Sequence, residues 1–314
     1  MEYSLFKGIR INIKEKTMAK KAIVMGATSG IGMEVASLLA QRGWQVGIAG
    51  RRIDRLEEVK RNTNQIISEK TEVSQKENIS EGMKASRGEI ICYQQIDVTS
   101  ADAPTLLQKL IEKLGGMDLY FHSSGIGWQN NSLDIEKEMN TVETNGLGFV
   151  RMVDTAFNWF AKQSQEQDKG QELSQEQNKG QELSQEQKSD KSKDNDTYRI
   201  ACITSIAGTK GLGAAPAYSA TKRFQNHYLE CLTQQAHMRH LPIAITDIRP
   251  GFVKTDLIAG SNYPLQLTPQ KVAQQIVNAI EQGKTVKTID WKYSILVSLW
   301  RMIPRWIWTR LTIK

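Results

Sequence analysis

The sequence predicts an α/β fold: one doubly wound parallel sheet with helices on both faces. Three observations carry this expectation. Short apolar runs alternate with helix-length segments along most of the chain, and the first run ends in a glycine-rich turn that opens into a helix. Size is the third: with the first 17 residues and two polar stretches set aside, the remainder has the length of one compact domain. In such folds ligands sit outside the carboxyl ends of the strands, so the segments leaving strands should carry the chemistry.

Taken in order, strands are expected at 22–25, 45–49, 90–93, 118–121, 199–204 and 243–248, each short and apolar as a strand buried on both faces should be. Helices are expected between and after them, at 31–41, 52–61, 102–113, 136–161, 217–238 and 269–281. Residues 1–17 mix cations with scattered apolar positions and lack the continuous apolar core of an export signal. Met18 stands just before the first strand and is the expected natural start. Two polar insertions interrupt a domain spanning 18–290: residues 64–87, and residues 162–197 with a ten-residue repeat beginning at Ser164 and again at Ser174. Their composition predicts a disordered loop or a frayed helical extension. Both lead from a helix into a strand, away from the expected crevice.

Hydrophobic residues at 39% and charged residues at 24% exclude a chain built of membrane spans and one disordered throughout. A formal charge of +7 permits attraction to anionic lipid or phosphate, but no nucleic-acid partner is expected. Three cysteines, Cys92, Cys202 and Cys231, are odd in number and lie among apolar residues, which suits reduced thiols and a cytoplasmic location.

The chemistry begins at Gly26-Ala27-Thr28-Ser29-Gly30-Ile31-Gly32. Glycines at this spacing let the chain turn tightly and let backbone N–H groups approach a pyrophosphate at the positive end of a helix. The second strand ends in Gly50-Arg51-Arg52, with no acid before Asp54. Arginines at this point accommodate a 2′-phosphate, where an acid would bind a free ribose hydroxyl, so NADP(H) is expected over NAD(H). Asp97, in Asp97-Val98-Thr99 at the third strand's end, is placed to accept from an adenine amino group or to start a helix. Tyr218 and Lys222 are four apart on a predicted helix and share a face, thirteen residues beyond Ser205 at a strand end. A neighbouring ammonium stabilises a phenolate, and this makes Tyr218 a candidate proton donor and acceptor.

From about residue 20 to residue 290 the chain resembles the classical short-chain dehydrogenase/reductase family. The resemblance rests on Gly26-x3-Gly30-x-Gly32, Asp97, Asn145, Ser205, Tyr218-x3-Lys222 and Arg249-Pro250-Gly251-Phe252-Val253-Lys254-Thr255. It implies a single Rossmann-type domain and hydride transfer between a nicotinamide and a small-molecule carbonyl or alcohol. It assigns Tyr218 as general acid in reduction, Ser205 as the group that orients the substrate oxygen, Lys222 as the residue that lowers the Tyr218 pKa and holds the nicotinamide ribose, and Asn145 as the holder of a relay water. Cofactor contacts are implied for Gly26, Thr28, Ser29, Gly30, Ile31, Gly32, Arg51, Arg52, Asp97, Val98, Ser124, Gly125, Tyr218, Lys222, Pro250, Gly251, Val253 and Thr255. A homodimer or homotetramer assembled through the helices carrying Asn145 and Tyr218 is also implied. Two positions depart from the family: Met25 replaces its usual Thr, and His122-Ser123-Ser124-Gly125 replaces its usual Asn-rich turn. No metal site is expected, since His122, His237 and His240 lack a third ligand at zinc-like spacing.

Residues 291–314 form a tail with four of the seven tryptophans and no apolar run long enough to span a bilayer. Leu296, Leu299, Trp300 and Ile303 are expected to share a helical face, broken after it by Pro304. Trp and Arg together suit a helix lying peripherally on anionic membrane at its inner face, or a pocket lid or subunit contact. The lipid reading would favour a hydrophobic or acyl-type ketone as substrate. The reading of the whole is an NADPH-dependent carbonyl reductase; the alternative is a catalytically silent dinucleotide sensor or a membrane-associated scaffold.

Overall fold

The computed structural model describes residues 19–76, 88–178, 197–256 and 265–312. Seven strands lie in one sheet: β1 (Lys21–Met25), β2 (Gln45–Gly50), β3 (Glu89–Gln95), β4 (Leu119–His122), β5 (Tyr198–Ile203), β6 (Ile243–Arg249) and β7 (Val286–Thr288). Their order is β3-β2-β1-β4-β5-β6-β7, and every pairing is parallel. The order reverses between β1 and β4, which fixes the crevice at their carboxyl ends. The seventh strand escapes the sequence pattern because it is three residues long and only partly buried.

The helices are α1 (Gly30–Gln41), α2 (Ile53–Lys76), α3 (Ala103–Leu114), α4 (Ile135–Val142), α5 (Phe149–Asn178), α6 (Pro216–Met238), α7 (Pro269–Glu281), α8 (Trp291–Met302) and α9 (Arg305–Trp308). Because successive strand residues point to opposite faces, β1 feeds two cores. Ala22 and Val24 pack with Val35 and Leu39 of α1, Leu56 of α2 and Ile276 of α7. Ile23 and Met25 pack with Leu107 of α3, Phe157 of α5 and Leu229 of α6. Burying each such side chain contributes roughly 1.5–3 kcal/mol before conformational entropy is counted. Both faces of the glycine turn and of the β4 and β5 ends are thereby anchored on packed layers.

Of the two alternatives expected for the polar stretches, the described residues show the helical extension, past the expected helix ends at 61 and 161. Residues 64–76 continue α2, because Thr63 and Ile67 extend its buried stripe below a polar outer face. Asn64 then ties this helix to β3 by donating to Ile90 O at 3.0 Å and accepting from Ile90 N at 2.9 Å. Likewise α5 runs through the first repeat to Asn178. Residues 77–87 and 179–196, and the proposed start at Met18, lie outside the described residues. Cys92 and Cys202 are buried as expected, but Cys231 is exposed on α6.

Candidate active site

The glycine turn is built by backbone demands that side chains would break. Gly26 and Gly30 have φ of 86° and 57°, in the left-handed region. A Cβ on Gly26 would lie 2.7 Å from Ser124 N, and one on Gly32 would collide with Gly26 O. Ser29 caps α1 in extended conformation without a side-chain hydrogen bond to the helix, so the first N–H groups of α1 are left to an external acceptor. A pyrophosphate fits this cradle, with Ser124 closing it from the neighbouring β4 end and Thr255 from the β6 end: a Cβ on Gly30 would lie 3.0 Å from Thr255 Cγ2.

The two arginines separate. Arg52 donates from Nη2 to Thr28 Oγ1 at 3.0 Å and Ser29 Oγ at 2.8 Å, beside Asp256 at 3.7 Å. Arg51 is exposed and acts electrostatically on Asp97. Burial would raise the Asp97 carboxyl, but hydrogen bonds from Thr99 N and Thr99 Oγ1, then Arg51, bring it below its ordinary value. Asp97 closes a local turn and does not start a helix, for α3 begins at Ala103. Its neighbour Val98 accepts from Arg151 through its carbonyl and packs against Gly148. Ile31 packs against the core beneath the turn.

The helix expected at 136–161 is interrupted where the chemistry lies. Glu143–Gly148 forms a π-helical turn between α4 and α5, a feature that often re-aims side chains at functional sites. Asn145, fully buried, sits in it. Its Nδ2 donates to Ile126 O at 2.7 Å and Thr221 Oγ1 at 3.2 Å, while its Oδ1 accepts from Ile126 N at 2.9 Å. Asn145 thus clamps the segment after β4 to α6.

Ser205 caps a short 3₁₀ turn at the end of β5, its Oγ accepting from Ala207 N at 3.1 Å. Burial raises the Tyr218 phenol, and the nearby Ser205 side chain lowers it in part. Lys222 lies 5.7 Å from the Tyr218 ring centroid. Its Nζ donates to Ile203 O at 3.1 Å and Gln225 Oε1 at 3.0 Å. Burial depresses Lys222 to about 8, against upward pulls from Asp247 and Cys202. Desolvation dominates and the phenol stands above its ordinary value, whereas the family resemblance expects Lys222, with the cofactor's charge, to lower it.

Gly125 and Gly127 bring the β4 exit into this cluster. A Cβ on Gly125 would stand 3.3 Å from Asn145 Oδ1 and 3.5 Å from Lys222 Nζ; one on Gly127 would enter the Tyr218 ring. His122, at the strand end below, is fully buried, with Nδ1 2.9 Å from Tyr120 Oη and its ring edge-on to Phe149 at 5.2 Å. Burial and then Lys222 lower it to about 3, so it is neutral at physiological pH. At the β6 end, Pro250 O accepts from Ile206 N and Val253 bridges to Leu267. Gly251 lies against the Tyr293 ring, which a Cβ would strike.

Several participants carry no signal that periodicity could raise. Gln225, fully buried, donates to Asn145 O at 2.9 Å and so spans Lys222 to Asn145, where the family resemblance expects a relay water. Thr204, Asn226, Asp247 and Arg249 form a buried network behind Ser205: Asn226 donates to Thr204 Oγ1 at 2.8 Å and Asp247 Oδ2 at 3.0 Å, and Arg249 pairs with Asp247 at 2.6 Å. A polar residue three positions after Lys222, on a helix otherwise burying that face, was the one available sign.

The tail is placed differently from its predicted face. Tyr293 and Val297 are buried, with Leu296 and Trp300 packed beside Ile206 and Phe252, whereas Leu299 points to solvent. Tyr293 Oη accepts from Phe252 N at 3.1 Å and donates to Leu265 O at 3.2 Å. Trp308 Nε1 donates to Gly211 O at 2.7 Å, and Lys210 Nζ to Ile303 O at 2.8 Å. The tail therefore braces both the segment after Ser205 and the segment after β6. No helix among the described residues is long and apolar enough to cross a membrane.

Comparison with known proteins agrees with this fold. The family model described as short chain dehydrogenase matches residues 20–90 and 189–264. A relative from Myxococcus xanthus, described as an uncharacterized oxidoreductase, is 25% identical over 291 residues, covering 91% of this chain and 93% of its own. Among solved structures, an alcohol dehydrogenase from Thermococcus sibiricus complexed with 5-hydroxy-NADP has a TM-score of 0.62 at 18% identity, covering 86% of this chain and 96% of its own. A variant actinorhodin polyketide ketoreductase with NADPH has a TM-score of 0.61 at 20% identity, covering 86% and 95%. At such identities the two structures speak for the fold.

Proposed function

Because the chain belongs to the short-chain dehydrogenase/reductase family and is an oxidoreductase acting on C–OH or C=O with a nicotinamide cofactor, we propose that it is an NADPH-dependent carbonyl reductase. The observation that carries the reading is the convergence of four side chains from three segments. Ser205 is near enough to Tyr218 to lower its phenol, Lys222 stands beside the Tyr218 ring, and Asn145 binds the adjoining loop and α6.

The bound nicotinamide would supply the hydride. Tyr218, raised by burial, is neutral at pH 7 and carries the proton that the carbonyl oxygen needs in the reductive direction. Ser205 donates to the same oxygen and orients it. Lys222 stabilises the phenolate left after transfer, since an ammonium favours a neighbouring anion. Gln225 and Asn145 hold Lys222 and the loop of Gly125 to Gly127 in register.

Arg52 supports the phosphate preference. Its guanidinium already lies at the mouth of the glycine turn on Thr28 and Ser29, where a 2′-phosphate would receive charge-assisted hydrogen bonds. Arg51 adds charge, and Asp97 and Val98 line the adenine side. The alcohol dehydrogenase and ketoreductase neighbours were solved with NADP-type cofactors, which supports dinucleotide binding on this fold. The substrate is a small-molecule ketone, and its apolar, acyl-type character is suggested by Ile206, Phe252, Leu267 and Trp300, which pack around Tyr293 on the tail side of Ser205. A homo-oligomer formed through α4 to α6 fits the exposed Ile135, Met139, Val142, Leu147 and Phe224 on those elements. The setting is cytoplasmic.

Calorimetric titration with NADPH and with NADH, followed by turnover on a panel of apolar ketones, tests the reading. Tight NADPH binding with ketone-dependent oxidation is expected. Binding of neither cofactor would overturn it.

A further inference from the structure

The two faces of the tail have different fates. On the inner face, Tyr293, Val297 and Trp308 are buried and bonded to the body of the protein. On the outer face, Trp291, Ile295, Leu299 and Met302 fall within about 80° of arc at roughly 100° per residue. These four and Trp306 of α9 are between 51% and 78% exposed. Large apolar side chains kept in water along one helix mark a contact surface, because each could release about 25 cal/mol per Å² on burial.

Charge selects the partner. Lys292, Arg301, Arg305 and Arg310 are exposed beside this stripe, and no acidic residue occurs from 291 to 314. Pairing two copies of the face would bring these cations together across the contact, whereas an anionic surface neutralises them. Tryptophans near both ends of the stripe, with arginine at its margins, match a helix lying in the headgroup region. We propose that the outward face of α8 and α9 docks on an anionic lipid bilayer, with the inner face held on the segments that follow Ser205 and β6.

This proposal does not depend on which carbonyl is reduced, and its test reads binding alone. The full chain is floated with vesicles of phosphatidylglycerol and phosphatidylcholine in equal parts, and with phosphatidylcholine alone. Wild type should float with the anionic vesicles and much less with the neutral ones. The triple variant Ile295→Ser, Leu299→Ser, Trp306→Ser should lose at least about tenfold in partitioning, since three buried apolar contacts are removed. Its NADPH binding and its mass in solution should equal those of wild type. A second variant, Arg301→Gln with Arg310→Gln, keeps the stripe and should float less, with a weaker dependence on salt. Wild type left in the soluble fraction, or triple variant floating like wild type, overturns the proposal. A triple variant of lower mass than wild type also overturns it, by assigning the face to a second copy. A chain that floats yet binds no NADPH would remove the reductase reading and leave the docking face standing.

Discussion

The Lys222 ammonium lies one helical turn beyond Tyr218 and 5.7 Å from its ring centroid, with its hydrogen bonds directed to Ile203 O and Gln225 Oε1. Lys222 is buried and Tyr218 half-buried, and desolvation drives each toward its neutral form, the phenol upward and the ammonium down to about 8. In the resting state the phenol therefore keeps its proton while Lys222 is charged with little to spare at neutral pH. That is the protonation state required for delivering a proton to a carbonyl oxygen.

Lys222→Met should inactivate the protein and stabilise it. Folded Lys222 titrates near 8, below the 10.5 of an ordinary lysine, so between these values the unfolded chain binds more protons and stability rises with pH. Below about 8 the full cost of the buried ammonium is present, on the order of 3 kcal/mol. At pH 7 the variant should melt at least about 3 °C higher than wild type, and the difference should shrink as pH approaches 10. Thermal unfolding at the two pH values checks this.

Gly127→Ala should leave the fold and the glycine turn intact while displacing the Tyr218 ring, into which the added methyl would project. NADPH affinity should change by less than about threefold, and kcat should fall by roughly tenfold or more, because small misplacements of a reacting group are costly. Equal losses in cofactor binding and kcat would mean that the whole loop had moved.

Arg52→Ala removes the guanidinium from Thr28 and Ser29. A charge-assisted bond to phosphate contributes about 1.5–3 kcal/mol, so NADPH affinity should drop roughly ten- to a hundredfold with NADH affinity nearly unchanged. Paired titrations read the selectivity directly.

Asp247→Asn leaves Arg249 without its carboxylate in a buried network that also holds Thr204 and Asn226. Breaking one side of a buried pair costs about 3–5 kcal/mol, and urea unfolding should show it. Catalysis should suffer less than stability, since the network lies behind Ser205.

The doubly wound plan was legible because apolar strands of a parallel sheet and glycine turns write themselves locally: Ile23, Val24 and Met25 need no distant information to read as a buried strand. Ser205, Tyr218 and Lys222 were likewise readable from their spacing and Asn145 from the family resemblance, and they lie together in the structure. What escaped depends on three-dimensional contact. The π-turn around Asn145 leaves helical periodicity almost unchanged, and Gln225 gains its place only when α6 meets that turn. Polarity left loop and helical extension both open for residues 64–76, where the buried stripe is narrow. In the tail, the apolar pattern groups Leu296, Leu299, Trp300 and Ile303 and passes over Tyr293, which defines the inner face through Gly251 and Phe252.

The central claim is that Tyr218 carries the transferred proton. Single-turnover oxidation of NADPH by Tyr218→Phe, measured with a ketone that wild type reduces, tests it most directly. NADPH binding should match wild type while the rate falls by about 10²–10⁴-fold. A rate within a few-fold of wild type would contradict the account and remove Tyr218 from the acid role.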